Sequence, residues 1–266
     1  MIKLVVTDMD GTLLTDEKRL PEDLWDVVSE LNKHGIMFCI ASGRQLFTLH
    51  KIFEKCTNEI LFLAENGTYV VKGDEVLHKN VIPNEDALQL IETGRNIEGA
   101  NIILCCTNGA YVESNDEKFL ETARSYYFKL DVVDDLTKVS DDILKVTMCD
   151  FNNSEKNSYT HFQKFREQFK VVVSGEIWLD VMNLSANKGT ALKMMQEKLH
   201  ISLEETAVFG DFLNDLEMLE RGKYSFAMKN SHPQIIEAAS FVTEFDNNES
   251  GVTATIKKII LDGRLD

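Results

Sequence analysis

The stretch that most limits what this chain can become is Leu4-Val5-Val6-Thr7-Asp8-Met9-Asp10-Gly11-Thr12. An uninterrupted apolar run of this kind is how a strand buried on both faces of a parallel sheet reads. It ends in two carboxylates at i and i+2, followed by Gly-Thr. In open α/β sheets, ligands bind beyond the carboxyl ends of the strands. Asp10-Gly11 by itself reads as a turn. Asp8 does not, because it falls where a buried strand should end and has no turn to make.

The next segments repeat the same grammar. Leu24, Val27, Val28 and Leu31 have helical spacing after Pro21, and Asn32-Lys33-His34-Gly35 supplies a stop. Ile36–Ala41 is a second apolar run, followed at once by Ser42-Gly43-Arg44. A helix is expected from about Gln45 to Lys55, and Ile60–Ala64 is a third buried strand. A β-α-β-α-β order with short connections predicts a parallel, doubly wound sheet with right-handed crossovers. It places Asp8, Ser42 and the Glu65-Asn66-Gly67 turn along one edge of that sheet.

From Thr68 the texture changes. Thr68–Val71 and Val76–His78 flank Lys72-Gly73-Asp74-Glu75, a hairpin pattern. Beyond Pro83 we expect helices over 85–95, 116–127 and 154–169. Strands are expected near 102–106, 111–113, 144–150, 170–174 and 177–182, the last two joined at Gly175-Glu176. This is an α+β unit with an antiparallel sheet. From Asn187 the parallel texture returns, with a helix to Leu199 and a strand at Thr206–Phe209 ending in Gly210-Asp211-Phe212-Leu213-Asn214-Asp215. A helix through Leu219, a strand at Tyr224–Ala227, a helix from His232-Pro233, a strand at Phe241–Thr243 and a closing helix to Leu261 complete the pattern. The expected architecture is an α/β core, residues 1–82 and 187–266, with an α+β domain inserted over 83–186.

Four groups at strand or helix ends could carry chemistry: Asp8 with Asp10, Ser42, Lys188, and Asp211 with Asn214 and Asp215. Taken singly, Ser42-Gly43 reads as a helix cap, Lys188 as a solvated lysine and Asp211 as the cap of the next helix. Together, the strand-end members fall on the carboxyl edge of one sheet, and their combined chemistry is phosphoryl transfer. A phosphate monoester is among the slowest esters to hydrolyse unaided. A site must provide a nucleophile, neutralise the phosphoryl oxygens and protonate the leaving oxygen. Asp8 can attack; Asp10 can donate a proton and later take one from water. Asp8 and Asp211, with a carbonyl from Asp10, make a hard-oxygen site suited to Mg²⁺. Ser42 and Lys188 can take the remaining phosphoryl oxygens.

These residues resemble the haloacid dehalogenase superfamily. Asp8-Met9-Asp10-Gly11-Thr12 resembles its first motif, Ser42 within Ala41-Ser42-Gly43-Arg44 its second, Lys188-Gly189-Thr190-Ala191-Leu192 its third, and Gly210–Asp215 its fourth. An insertion between the second and third motifs is similar to the Cof-type branch with a C2B cap. The resemblance spans essentially the whole chain. It implies a Rossmannoid core with a cap, and Mg²⁺-dependent hydrolysis of small phosphorylated metabolites, typically sugar phosphates. It puts the nucleophile on Asp8 and the acid–base role on Asp10. Phosphate contacts fall on Ser42, Gly43, Lys188 and Asn214. Metal contacts fall on Asp8, Asp10 and Asp211, with Asp215 either orienting that set or meeting the metal through water. Ion pumps of the same superfamily carry Lys-Thr after the nucleophile, so an acid at position 10 implies turnover of the phosphoenzyme. The cap is expected to close over the cleft and set specificity.

Two other readings remain open at this stage. A phosphomutase shares Asp8 and Asp10 and also carries a C2B-type cap. A receiver-like binding module is a single doubly wound unit without an acid at the position of Asp10.

Composition narrows the partners. A net charge of −16 over 266 residues argues against a nucleic-acid surface, which needs a basic patch. It still permits an anionic small substrate beside a local lysine and a metal. The five cysteines show no C-x-x-C spacing, and Cys39, Cys105, Cys106 and Cys149 lie in apolar runs. They read as buried thiols in a reducing compartment. With no signal-peptide pattern and no apolar stretch of spanning length, a cytoplasmic location is expected.

Overall fold

The computed structural model describes residues 1–261. In chain order it runs through β1 (Leu4–Asp8), α1 (Leu24–Lys33), β2 (Met37–Ala41), α2 (Leu46–Ile52), β3 (Leu61–Ala64), β4 (Tyr69–Lys72) and β5 (Glu75–Lys79). There follow α3 (Asn84–Arg95), β6 (Ala100–Cys106), β7 (Gly109–Val112), α4 (Glu117–Tyr126), β8 (Leu130–Val132), β9 (Ile143–Asp150), α5 (Ser158–Phe162), β10 (Phe169–Gly175) and β11 (Trp178–Asn183). The last part holds α6 (Lys188–Leu199), β12 (Thr206–Gly210), α7 (Leu216–Leu219), β13 (Tyr224–Ala227), α8 (Pro233–Ala238), β14 (Phe241–Val242) and α9 (Gly251–Thr255). The closing helix continues as a wider π turn over Ile256–Leu261.

The chain divides into two compact units. The first comprises Met1–Gly43, Phe53–His78 and the described residues from Asn187 to Leu261. Its sheet has the strand order β14-β13-β12-β1-β2-β3-β4-β5. β1 is buried at every position and lies between two parallel neighbours, β2 and β12. That two-sided burial is why its sequence is an unbroken apolar run. α1 buries Leu24, Val27, Val28 and Leu31, the four positions its spacing marks. It ends before Gly35, whose φ of 71° lets the chain turn into β2. The hairpin expected after Thr68 is present and extends this same sheet, β4 pairing antiparallel with β3. Register aligns the strand ends: Asp8 is level with Ala41, one residue before Ser42, and Thr7 is level with Phe209.

The second unit comprises Lys79–Ala186 together with Arg44–Ile52, the segment carrying α2. Gln45 ties that segment in, donating to the Lys129 carbonyl at 2.9 Å and accepting from the Lys129 N–H at 3.1 Å. The sheet order is β10-β11-β9-β6-β7-β8, antiparallel except for β7 with β8. Alternate residues of β6 enter different clusters: Ile102, Leu104 and Cys106 pack with α3 and α5, Ile103 and Cys105 with α4. The period of two thus gives the sheet two apolar faces.

Two elements differ from the sequence expectation. The helix expected over 154–169 begins only at Ser158 and tightens to a 3₁₀ turn at Gln163–Phe165. Asp150 is the reason: its carboxylate accepts from the N–H groups of Asn152 and Ser158, from the Asn157 amide and from the Ser158 hydroxyl, folding residues 150–157 into a loop. β8 was not expected, and its half-exposed positions leave no apolar alternation to read. All five cysteines are buried and unbridged. No helix among the described residues is long and apolar enough to cross a membrane.

Candidate active site

At the carboxyl edge of the first unit's sheet, the structure brings together Asp8, Lys188, Asp211 and Asp215. Lys188 is the first residue of α6, whose N-cap Asn187 accepts from the Thr190 N–H at 2.6 Å. Its ammonium is 1% exposed and donates to Asp8 Oδ1 at 2.5 Å and to Asp215 Oδ1 at 2.7 Å. It is therefore not a solvated lysine. Asp215 turns its other oxygen back on its own loop, where Oδ2 accepts from the N–H groups of Asp211 at 3.1 Å and Phe212 at 3.3 Å. Asp211 does not cap the following turn, which starts from Phe212. Its Oδ1 instead accepts the Thr12 hydroxyl at 2.6 Å.

Asp8, Asp211 and Asp215 each offer a carboxylate oxygen within 4.8 Å of the others. Three carboxylates face one ammonium in a buried place, an arrangement that calls for further positive charge. Burial pushes the Asp8 carboxyl well above its ordinary range; Lys188 opposes this, while Asp215 and Asp211 add to it. Asp211 is raised too, chiefly by burial. Burial works against the Lys188 ammonium, but the carboxylates of Asp215 and Asp8 outweigh it and hold the lysine above its usual value. A hard-oxygen cluster with this surplus of negative charge fits a small divalent cation.

The other sequence candidates lie around this centre. Ser42 is buried at the end of β2; its N–H donates to the Leu63 carbonyl and its carbonyl accepts from the Asn66 N–H. Glu65, Asn66 and Gly67 have φ of 51°, 57° and 93°, three left-handed residues in succession. Such strain persists only where the surroundings over-determine it. Here a Cβ on Gly67 would stand 2.5 Å from the Asn187 carbonyl, and one on Gly43 would stand 2.9 Å from the Asn66 amide oxygen. The turn therefore registers the Ser42 loop against the start of α6. Asp10 is half-buried, with Lys18 Nζ 3.0 Å from its Oδ1. Asn214 is exposed and makes no side-chain hydrogen bond among the described residues.

Several residues around the site are silent in the sequence. The partner of the Thr12 hydroxyl is 199 residues away. Lys18 stands in an exposed loop with no motif around it. Asn230, Asn247 and Asn248 all reach the chain just after Asp10. Only their chemistry, an amide that serves as donor and acceptor, hints at such a use.

Comparison with known proteins follows the same lines. The family model for haloacid dehalogenase-like hydrolases matches residues 5–256. The 5-amino-6-(5-phospho-D-ribitylamino)uracil phosphatase YbjI of Escherichia coli is 30% identical, over 97% of this chain and 96% of that one. The crystal structure of TM0651 from Thermotoga maritima superimposes with a TM-score of 0.86 at 28% identity, over 97% of this chain and 98% of that one. The haloacid dehalogenase subclass IIB sugar phosphatase BT4131 shares the fold, with a TM-score of 0.77 at 22% identity over 96% and 98% of the two chains.

Proposed function

The chain belongs to the haloacid dehalogenase-like hydrolases, and from that premise we propose that it is a Mg²⁺-dependent phosphatase of small phosphorylated metabolites, sugar phosphates foremost. One observation carries the reading: a buried carboxylate, Asp8, stands at the end of the central strand with a lysine ammonium at 2.5 Å. The substrate class is supported by two similar proteins whose names give phosphorylated, hydroxyl-rich substrates, a ribityl phosphate and sugar phosphates.

An oxygen of Asp8 attacks phosphorus while the bond to the ester oxygen breaks, leaving an aspartyl-phosphate. Asp10 gives its proton to the departing alkoxide. Water then attacks the aspartyl-phosphate, Asp10 takes back a proton, and phosphate leaves with Asp8 restored. Lys188 balances charge at Asp8 throughout, and Asp215 keeps that lysine in place. Ser42, Gly43 and Asn214 contact the phosphoryl oxygens. Asp8, Asp211 and the Asp10 carbonyl would hold the ion. Asp215, whose two oxygens already accept from Lys188 and from two backbone N–H groups, orients that set. Bound Mg²⁺ supplies the positive charge that neutralises the phosphoryl oxygens. The inserted domain selects among substrates.

The test is inorganic phosphate release from sugar and polyol phosphates, with Mg²⁺ and with EDTA. Release is expected with Mg²⁺ and lost with EDTA, and Asp8→Asn should cost at least about a thousandfold in kcat. Turnover that survives Asp8→Asn, or isomer exchange without phosphate release, would overturn the reading.

A further inference from the structure

Beyond Asp10 the chain makes a compact excursion, closed by local turns and held by partners distant in sequence. Met9 O accepts from the N–H groups of Leu13 at 3.1 Å and Leu14 at 2.8 Å, closing a first turn that contains Asp10. Three asparagines from the far end of the chain then take hold. Asn230 Nδ2 donates to the Gly11 carbonyl at 2.8 Å. Asn247 Nδ2 donates both to the Leu14 carbonyl and to Asp16 Oδ1, each at 3.0 Å. Asn248 and Asp16 exchange two bonds, the Asp16 N–H donating at 3.0 Å and the Asn248 amide returning one at 3.1 Å. The Asn247 N–H in turn donates to Asn230 Oδ1 at 3.3 Å, so the holders are joined to one another.

Asn247 is 2% exposed, an uncommon state for an asparagine unless its bonds are made. Its own position is fixed by the 3₁₀ turn Asn247–Glu249, which Asp246 caps by accepting from the Asn248 and Glu249 N–H groups. The excursion it holds begins one residue after Asp10 and ends near Lys18, whose ammonium lies 3.0 Å from the Asp10 carboxylate.

We propose that Asn247, acting with Asn230, is a positioning residue for the Asp10 carboxyl. This rests on the phosphatase reading and deepens it. An acid must stand within about 3 Å of the oxygen it protonates. A misplacement of about 1 Å costs on the order of a hundredfold. β1 delivers Asp8 on a strand locked on both sides, whereas Asp10 lies beyond the strand on a turn. The clasp gives that turn fixed points on the Gly11 and Leu14 carbonyls. Asn247 acts through the loop and touches no reacting atom.

A leaving-group comparison separates positioning of an acid from general support of the fold. Phenyl phosphate needs its leaving oxygen protonated; 2,4-dinitrophenyl phosphate does not. kcat/KM reports the chemistry through the step in which the leaving group departs. The ratio of kcat/KM for the two esters, measured on one preparation, is independent of how much of the enzyme is folded. For Asn247→Ala and Asn230→Ala that ratio is expected to fall against phenyl phosphate by about tenfold or more, with Asp10→Asn setting the upper limit. A ratio within about twofold of the unaltered protein in both variants would overturn the inference, whatever the loss of total activity. Asp8→Asn, expected to abolish turnover of both esters, tests the phosphatase reading separately. An unaltered protein that turns over neither ester would overturn both.

Discussion

Gly11 shows how tightly single residues are committed around Asp8 and Asp211. Its φ of 84° lies in the region that side chains resist, and a Cβ there would stand 2.4 Å from Asp211 Oδ2. Gly11→Ala is therefore expected to cost about 1–3 kcal/mol of stability in urea unfolding. If the cluster takes Mg²⁺ as proposed, the ion raises the melting temperature, and the substitution should reduce that rise because Asp211 must yield. An alanine variant that keeps the full Mg²⁺ shift would show that Asp211 is not held by this contact. At this scale the sequence showed which residues stand at strand and helix ends: Asp8, Ser42, Lys188 and Asp211. It did not show who holds them. Thr12 and Asp211, or Leu14 and Asn247, are partners across 199 and 233 residues, and no period links such pairs. The fate of Lys188 was also hidden, since nothing in a helix-start lysine tells whether its ammonium is in water or between two carboxylates.

Elements are fastened by ionic joints as well as by packing. Arg95, in the last turn of α3, grips Glu113 beyond β7 with two bonds of 2.7 and 2.6 Å and reaches Asp135 at 2.8 Å. The Arg95 bond is the main cause that holds Glu113 below the ordinary carboxylate range. Asp135 is held well below it, first by the Thr137 hydroxyl and then by Arg95. Depressed folded values mean that this stabilisation is complete above the unfolded carboxylate range of about 4 and is lost as pH falls through the folded values. Arg95→Met should thus lower the melting temperature at neutral pH, and the gap to the unaltered protein should narrow as pH falls below about 4. A gap unchanged down to acid pH would mean that the joint contributes through packing alone. Helices and strands with a clear apolar period, such as α1 and β1, were legible because burial itself writes the period. α5 was not, because the Asp150 carboxylate competes for the N–H groups that a longer helix would need. β8 was not, because a half-exposed strand has no pattern to show.

For the molecule as a whole, the two compact units have separate apolar clusters, and the chain's two tryptophans are divided between them. Trp25 lies on α1 against Phe53, and Trp178 lies on β11 against Tyr126. Fluorescence of Trp178→Phe then reports the first unit and Trp25→Phe the second. Urea unfolding followed in these variants is expected to give different midpoints, since multidomain chains depart from two-state behaviour. Superimposable curves would instead show one cooperative body. The alternation of parallel and antiparallel texture was enough to foresee an insertion. That α2 groups with the inserted segment was not foreseen, because the bonds to Lys129 and Tyr126 are made by Gln45, just before the helix, and Thr48 on it, both ordinary polar residues.

The discontinuity of the first unit also has a consequence in time. Synthesis makes β1 first among the strands of this sheet, and β2 and β3 follow soon after. Its other neighbour, β12, emerges only after the whole of the second unit, and the ammonium that faces Asp8 arrives 180 residues behind it. The intervening sheet can close on its own apolar clusters while Asp8 still lacks the ammonium that faces it. During synthesis Asp8 is thus made well before the groups that face it, and the cluster is complete only after the whole inserted segment has been made.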